Sequence, residues 1–172
     1  DGANSIVARS IRPEPLKNKK LIGIRGYING LKTNPDCAEF YFLKEVFPSY
    51  GWIFPINDSM ANIGLGLYVD NYHTTQLSLK NLMHNFMQHE LIAKRLGQDW
   101  QVDNYKSWFY QLAEWSPKSI VADGALLVGD AAPLMDPLSG EGIHNALHSG
   151  IIAGEVVDQA ISRKDFSLAT LH

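Results

Sequence analysis

The stretch from Gly124 to Gly150, GALLVGDAAPLMDPLSGEGIHNALHSG, constrains this chain more than any other. Ala125 to Val128 is a short apolar run ending at Gly129-Asp130, and it reads as a buried strand that stops at a carboxylate. A loop with Pro133 and Pro137 follows, then Ser139, Gly140, Glu141 and Gly142, and a long helix is expected to open at Ile143. Strand, acid, Pro/Gly loop and helix start form a unit able to hold a polar ligand. The acid can accept hydrogen bonds from hydroxyl groups. Gly140 and Gly142 carry no side chain, so a flat ring can approach the backbone. The free N–H groups of the first helical turn favour negative charge.

The segment GDAAPLMDPLSGEGIHNALHSG resembles the second flavin-contacting motif of the FAD-dependent hydroxylase and prenyl-reductase superfamily. The resemblance implies that Gly129 and Asp130 bind the ribityl chain of FAD and that Pro137 sits beside the isoalloxazine. It also implies that the backbone of Gly140, Glu141, Gly142 and Ile143 faces the pyrimidine edge of the ring. An ordinary strand-loop-helix unit is the competing reading.

At the other end, DGANSIVAR resembles the aspartate-glycine motif of the same superfamily. By that resemblance Asp1, Gly2 and Arg9 line the cofactor path. Read from the residues alone, Ser5 caps a short helix and Arg9 is solvated. Pro13 and Pro15 end that helix.

Between these motifs the pattern is that of an antiparallel sheet. Lys20 to Ile28 places Ile22, Ile24 and Ile28 on one face, and Glu39 to Leu43 places Phe40 and Phe42 together. A strand over Tyr50 to Ile56 is expected to hairpin through Asn57-Asp58-Ser59 into a strand over Ala61 to Val69. Asp103 to Leu112 forms a further strand, turned back by Trp115-Ser116-Pro117. One helix is expected from a cap at Thr74 or Thr75 to about Leu96, with Gly97 closing it. Its stripe of Leu79, Leu82, Met83, Phe86 and Met87 is read as core rather than as the lining of a tunnel.

Tyr50, Trp52 and Phe54 alternate onto one strand face and make a flat apolar wall for a planar ring or an isoprenoid chain. The stretch Tyr50-Gly51-Trp52-Ile53-Phe54-Pro55 resembles a segment of geranylgeranyl reductases, and it is also similar to one of flavin-dependent halogenases. Tyr50 and Phe54 favour the reductase branch. Gly64 and Gly66 lie within a strand and open no helix, so they form no phosphate loop; they leave room for a ligand or another backbone.

The expected fold is α+β: an antiparallel substrate-domain sheet with a long helix, plus the returning strand and helix of a Rossmann-like FAD domain. Residues 1–18 would end one FAD-domain segment, 19–118 would form the substrate domain, and 119–172 would return to the FAD domain. No GxGxxG turn is present for the ADP half of FAD. The chain therefore reads as the middle and C-terminal portion of a longer enzyme, expected to bind FAD weakly or not at all by itself and to have no turnover alone.

The resemblance implies a flavoprotein reductase of isoprenoid double bonds, with reduced flavin as hydride source and NAD(P)H or ferredoxin as candidate electron donor. A flavin monooxygenase or halogenase is the alternative, and a non-catalytic lipid-binding module a third. The net charge of −3 and the absence of Lys/Arg runs longer than a pair argue against nucleic acid. Glu141, His144 and His148 share a helix face, but no metal site is expected from them. No catalytic side chain is assigned. One cysteine, Cys37, and the lack of a membrane-length apolar run fit a cytoplasmic protein with peripheral membrane contact left open. A small apolar, prenylated substrate is the expected partner.

Overall fold

A computed structural model describes residues 2–12, 20–31, 36–97, 99–113, 120–137 and 139–172. Asp1, Pro13, Pro15 and the turn at Trp115 to Pro117 lie outside them. The chain is α+β and divides into two compact units: Leu21–Phe109, and Asp1–Lys20 with Tyr110–His172.

The first unit is built on a five-stranded sheet. Its strands are β1 (Lys20–Asn29), β2 (Glu39–Tyr41), β3 (Gly51–Asn57), β4 (Met60–Tyr68) and β5 (Gln101–Gln111), in the order β2-β3-β4-β1-β5. The pairs β2·β3, β3·β4 and β1·β4 are antiparallel. The period-2 pattern sets the faces: Ile22, Ile24, Ile28, Ile53, Ile63, Leu65 and Leu67 are buried on one side. Pro55 sits at a register shift in β3, beyond the segment that pairs with the short β2, so its missing N–H breaks no bond on that side.

The helical segment differs from the single helix expected. It is three helices: α2 (Val69–Thr75), α3 (Leu79–Gln88) and α4 (Glu90–Leu96). Gln76 takes a left-handed conformation (φ 54°) and ends α2. Thr74 and Thr75 do not cap a following helix; their hydroxyls donate back to the carbonyls of Asn71 and Tyr72. Ser78 caps α3, accepting from the Asn81 N–H at 3.1 Å. His89, extended at ψ 137°, breaks the helix, and its Nδ1 accepts from the Leu91 N–H to start α4. The apolar stripe survives the break. Leu82, Met83, Phe86 and Met87 are buried with Ile92 and Leu96 against the sheet, each contributing roughly 1.5–3 kcal/mol of transfer free energy. Gly51 admits this packing, since a Cβ there would stand 2.3 Å from the Phe86 ring.

The second unit begins with a 3₁₀ turn (Gly2–Asn4) and α1 (Ile6–Ile11), capped by buried Ser5, whose Oγ accepts from the Ala8 N–H at 3.0 Å. The run from Ala125 to Val128 is not one buried strand. Only Ala125–Leu126 (β7) is extended in a ladder, paired antiparallel with Val121–Ala122 (β6). Leu127 leaves the ladder to pack with Ala8 and Ala132 in a small core, while Val128 is exposed. A 3₁₀ turn, Gly129–Ala131, follows, and then the long helix α5 (Ile143–Arg163) and the short α6 (Leu168–Leu171). Leu112 bridges in parallel to Met135. Along α5 an outward apolar stripe runs through Ile143, Leu147, Ile151 and Ile161. Gly150 and Gly154 of the same helix have nothing within 4 Å of a built Cβ.

Candidate functional site

In the second unit the two sequence motifs meet. The turn Gly2–Asn4 packs against the turn Gly129–Ala131. Gly129 adopts φ 53°, and a Cβ there would lie 3.2 Å from Ala146 Cβ, so glycine lets the turn lie on α5. Its N–H donates to Ser149 Oγ at 3.1 Å, and that hydroxyl donates to the Ala146 carbonyl. Asn145 Nδ2 holds the Leu134 carbonyl at 2.8 Å. Two α5 side chains thus fasten the first half of the loop, at Gly129 and at Leu134.

The rest of the loop is self-braced. Asp136 Oδ1 accepts from the Ser139 N–H and Oγ–H, and the Asp136 N–H donates to the Glu141 carbonyl at 2.7 Å. Glu141 Oε1 accepts from the His144 N–H at 2.7 Å, so Glu141 satisfies one free donor at the start of α5. Gly140 takes φ 70°, a conformation that favours glycine.

Asp130 is half-buried, and among the described residues its carboxylate accepts no hydrogen bond. It stands at the start of α5: a Cβ on Gly142 would lie 3.9 Å from Asp130 Oδ1. A carboxylate without a partner, beside a glycine at a helix start, is able to take hydroxyl donors from a bound molecule. Pro137, Glu141 and Ile143 are exposed along the same loop and helix start. Arg9 is exposed and turned back on its own segment, its Nη2 donating to the Asn4 carbonyl at 2.7 Å.

One residue escaped the sequence reading. Arg12, at the end of α1, donates from Nη2 to the Ala131 carbonyl at 2.5 Å and from Nε to the Ala8 carbonyl at 3.4 Å. Its Nη1 is buried with no hydrogen-bond partner among the described residues. Burial lowers the Arg12 pKa from its ordinary value. A basic residue after a short helix gives no signal of this.

In the sheet unit the aromatic wall is larger than expected. Phe40 of β2 is in register with Trp52, and its ring meets Tyr50 at 5.2 Å and Phe54 at 5.1 Å, both edge-on. Phe42 meets Tyr50 at 5.8 Å, and Trp52 stacks on Phe54 at 5.9 Å. Trp52 Nε1 donates to Asn62 Oδ1 at 2.8 Å, fixing the indole against β4. The space above Gly64 is filled by that indole: a Cβ would come within 2.2 Å of Trp52 Cζ2. Gly64 therefore seats a side chain of the same unit, where the sequence reading left the choice between a ligand and another backbone. At Gly66 a Cβ would stand 3.0 Å from Ser49 Oγ. Phe40 and Phe42 were legible as one strand face, but their meeting with Tyr50 depends on the β2·β3 register.

His144 and His148 stack at 6.0 Å, and among the described residues no group of three or more His, Cys, Asp or Glu side chains could hold a metal ion. No described helix is long and apolar enough to cross a membrane.

Residues 21–100 match the model of the geranylgeranyl reductase catalytic domain. A digeranylgeranylglycerophospholipid reductase of Thermoplasma volcanium is 35% identical, over 80% of this chain and 33% of the relative. A second reductase of that name, from Methanopyrus kandleri, is 34% identical, over 99% of this chain and 43% of its own length. The chain belongs to the geranylgeranyl reductase family.

A crystal structure of a geranylgeranyl bacteriochlorophyll reductase-like protein from Thermoplasma acidophilum superposes on this family member with TM-score 0.78. The two are 29% identical, over 92% of this chain and 38% of that one. A flavin-dependent brominase superposes with TM-score 0.67 at 22% identity, over 86% of this chain and 38% of that one; the likeness is one of fold. The chain spans 33% to 43% of the length of these two curated reductases.

Proposed function

We propose that this chain is part of an FAD-dependent reductase that saturates isoprenoid double bonds, its sheet unit (Leu21–Phe109) taking the apolar substrate and its second unit contributing to the flavin site. The observation that carries the reading is the Asp130 carboxylate, left without a partner at the glycine-lined start of α5. Asp130 accepts from the ribityl hydroxyls. The backbone from Gly140 to Ile143 faces the polar edge of the ring, and the helix start favours negative charge there. Pro137 and Gly2 complete the surround. Bound and reduced, the flavin supplies hydride to a carbon–carbon double bond, with the matching proton from solvent or a pocket acid. The wall of Phe40, Tyr50, Trp52 and Phe54 holds an isoprenoid chain through apolar contact. The relatives are named as reductases of geranylgeranylated glycerophospholipids, which supports a prenylated lipid as substrate. NAD(P)H or a ferredoxin supplies the electrons, and an apolar substrate brings the enzyme to the membrane surface.

The full-length protein, carrying reduced flavin under anaerobic conditions, is mixed with a prenylated glycerophospholipid. Reoxidation of the flavin with saturation of the lipid supports the reading. Flavin that is reoxidised only by oxygen, in a substrate-dependent manner, assigns the protein to the monooxygenase and halogenase chemistry of its fold neighbours. Lipid binding by a full-length protein that takes up no flavin makes it a binding module.

A further inference from the structure

We propose that Arg12 is the positioning residue of the flavin-binding turn, tying the end of α1 to the Ala131 carbonyl and so fixing where the neighbouring Asp130 carboxylate points. The inference rests on the proposal that this turn binds flavin.

Three observations lead to it. The Nη2 bond joins a charged donor to the Ala131 carbonyl across 119 residues of sequence. The same guanidinium reaches the Ala8 carbonyl through Nε, and the Arg12 backbone N–H reaches that carbonyl as well, at 3.0 Å. One planar group therefore holds both the helix end and the turn. Nη1 is buried without a partner among the described residues. An arginine that only closes a helix would turn its charged head to water. Burying one of its donors unpaired is unfavourable, so the packing around it selects the geometry at a cost. A lysine ammonium has no rigid fork and cannot serve both acceptors in this arrangement.

The test uses the full-length protein and the variants Arg12→Lys, Arg12→Met and Ser5→Ala. The last removes the cap of α1 without touching the Ala131 contact. FAD affinity is read by flavin fluorescence, the bound state by its visible absorption bands, and folding by thermal unfolding. Both Arg12 variants are expected to bind FAD about tenfold more weakly, as befits a lost bond to a charged group, and to shift the visible bands. Ser5→Ala is expected to lose thermal stability while keeping wild-type affinity and spectrum. If Arg12→Met does not fold, the conservative Arg12→Lys decides the matter. Wild-type affinity and spectrum in a folded Arg12 variant overturn the proposal. So does a Ser5→Ala protein whose affinity falls in step with its stability, since Arg12 is then only a structural tie. A wild-type protein that binds no FAD overturns the flavin reading and this proposal together.

Discussion

Trp52 lies in the space that Gly64 leaves on the neighbouring strand, its Cζ2 atom 2.2 Å from where a Cβ would be. The two residues are register partners in the β3·β4 ladder, and the indole N–H is held by Asn62 one turn of the pleat away. The wall is therefore specified from below by β4 as well as by its own rings. Gly64→Ala is expected to lower stability by about 2 kcal/mol through overpacking, because the Ile24 carbonyl at 2.7 Å closes the other escape. Urea unfolding of variant and wild type measures it; equal midpoints would mean the indole swings away freely.

Tyr41 donates to Glu39 Oε2 at 2.6 Å, and Arg95 holds the same carboxylate through Nε at 2.9 Å, joining edge strand β2 to α4. Burial first, and then the bond to Glu39, raise the Tyr41 pKa well above the ordinary tyrosine value of 10.0. The folded state thus keeps the proton longer than the unfolded chain does. This contribution is complete below about pH 10 and is lost as pH rises toward the folded value. Urea midpoints from pH 8 to 11 are expected to fall more steeply above pH 10 for wild type than for Tyr41→Phe. Parallel slopes would remove Tyr41 from the account.

Asp130→Ala is expected to weaken FAD binding to the full-length protein by about tenfold or more, the range for a hydrogen bond to a charged acceptor. Its unfolding temperature should hold, since the carboxylate has no partner among the described residues. Unchanged flavin fluorescence titration would place the ribityl contact elsewhere.

Gly97 and Gly150 both have empty space around a built Cβ, yet alanine should act oppositely at the two. Gly97 closes α4 at φ 73°, ψ −149°, a region nearly exclusive to glycine, so Gly97→Ala is expected to cost about 1–3 kcal/mol. Gly150 lies inside α5, where alanine gains about 1 kcal/mol in helix propensity. Thermal unfolding of the two variants separates conformational preference from packing.

The sheet was legible because period-2 burial is written directly into Ile22-Gly23-Ile24 and Ile63-Gly64-Leu65. The loop at Asp130 was legible because its glycines and prolines are local requirements of the chain's path. The helical break was not. A buried stripe keeps its 3.6 period across His89, and the break depends on a cap formed by that side chain. Gly64 showed that space was needed, but sequence does not say which side chain fills it. Arg12 was out of reach for a different reason: its partner is the carbonyl of Ala131, and a backbone group has no signature in the sequence.

The outward stripe of α5 sets how this stretch behaves when produced by itself. Ile143, Leu147, Ile151 and Ile161 are 77%, 66%, 62% and 58% exposed. An exposed apolar band of that length is an association surface, so self-association of the isolated stretch is expected to increase with its concentration. Glutamate at Leu147 and Ile151 would lower light scattering without touching the loop at Asp130.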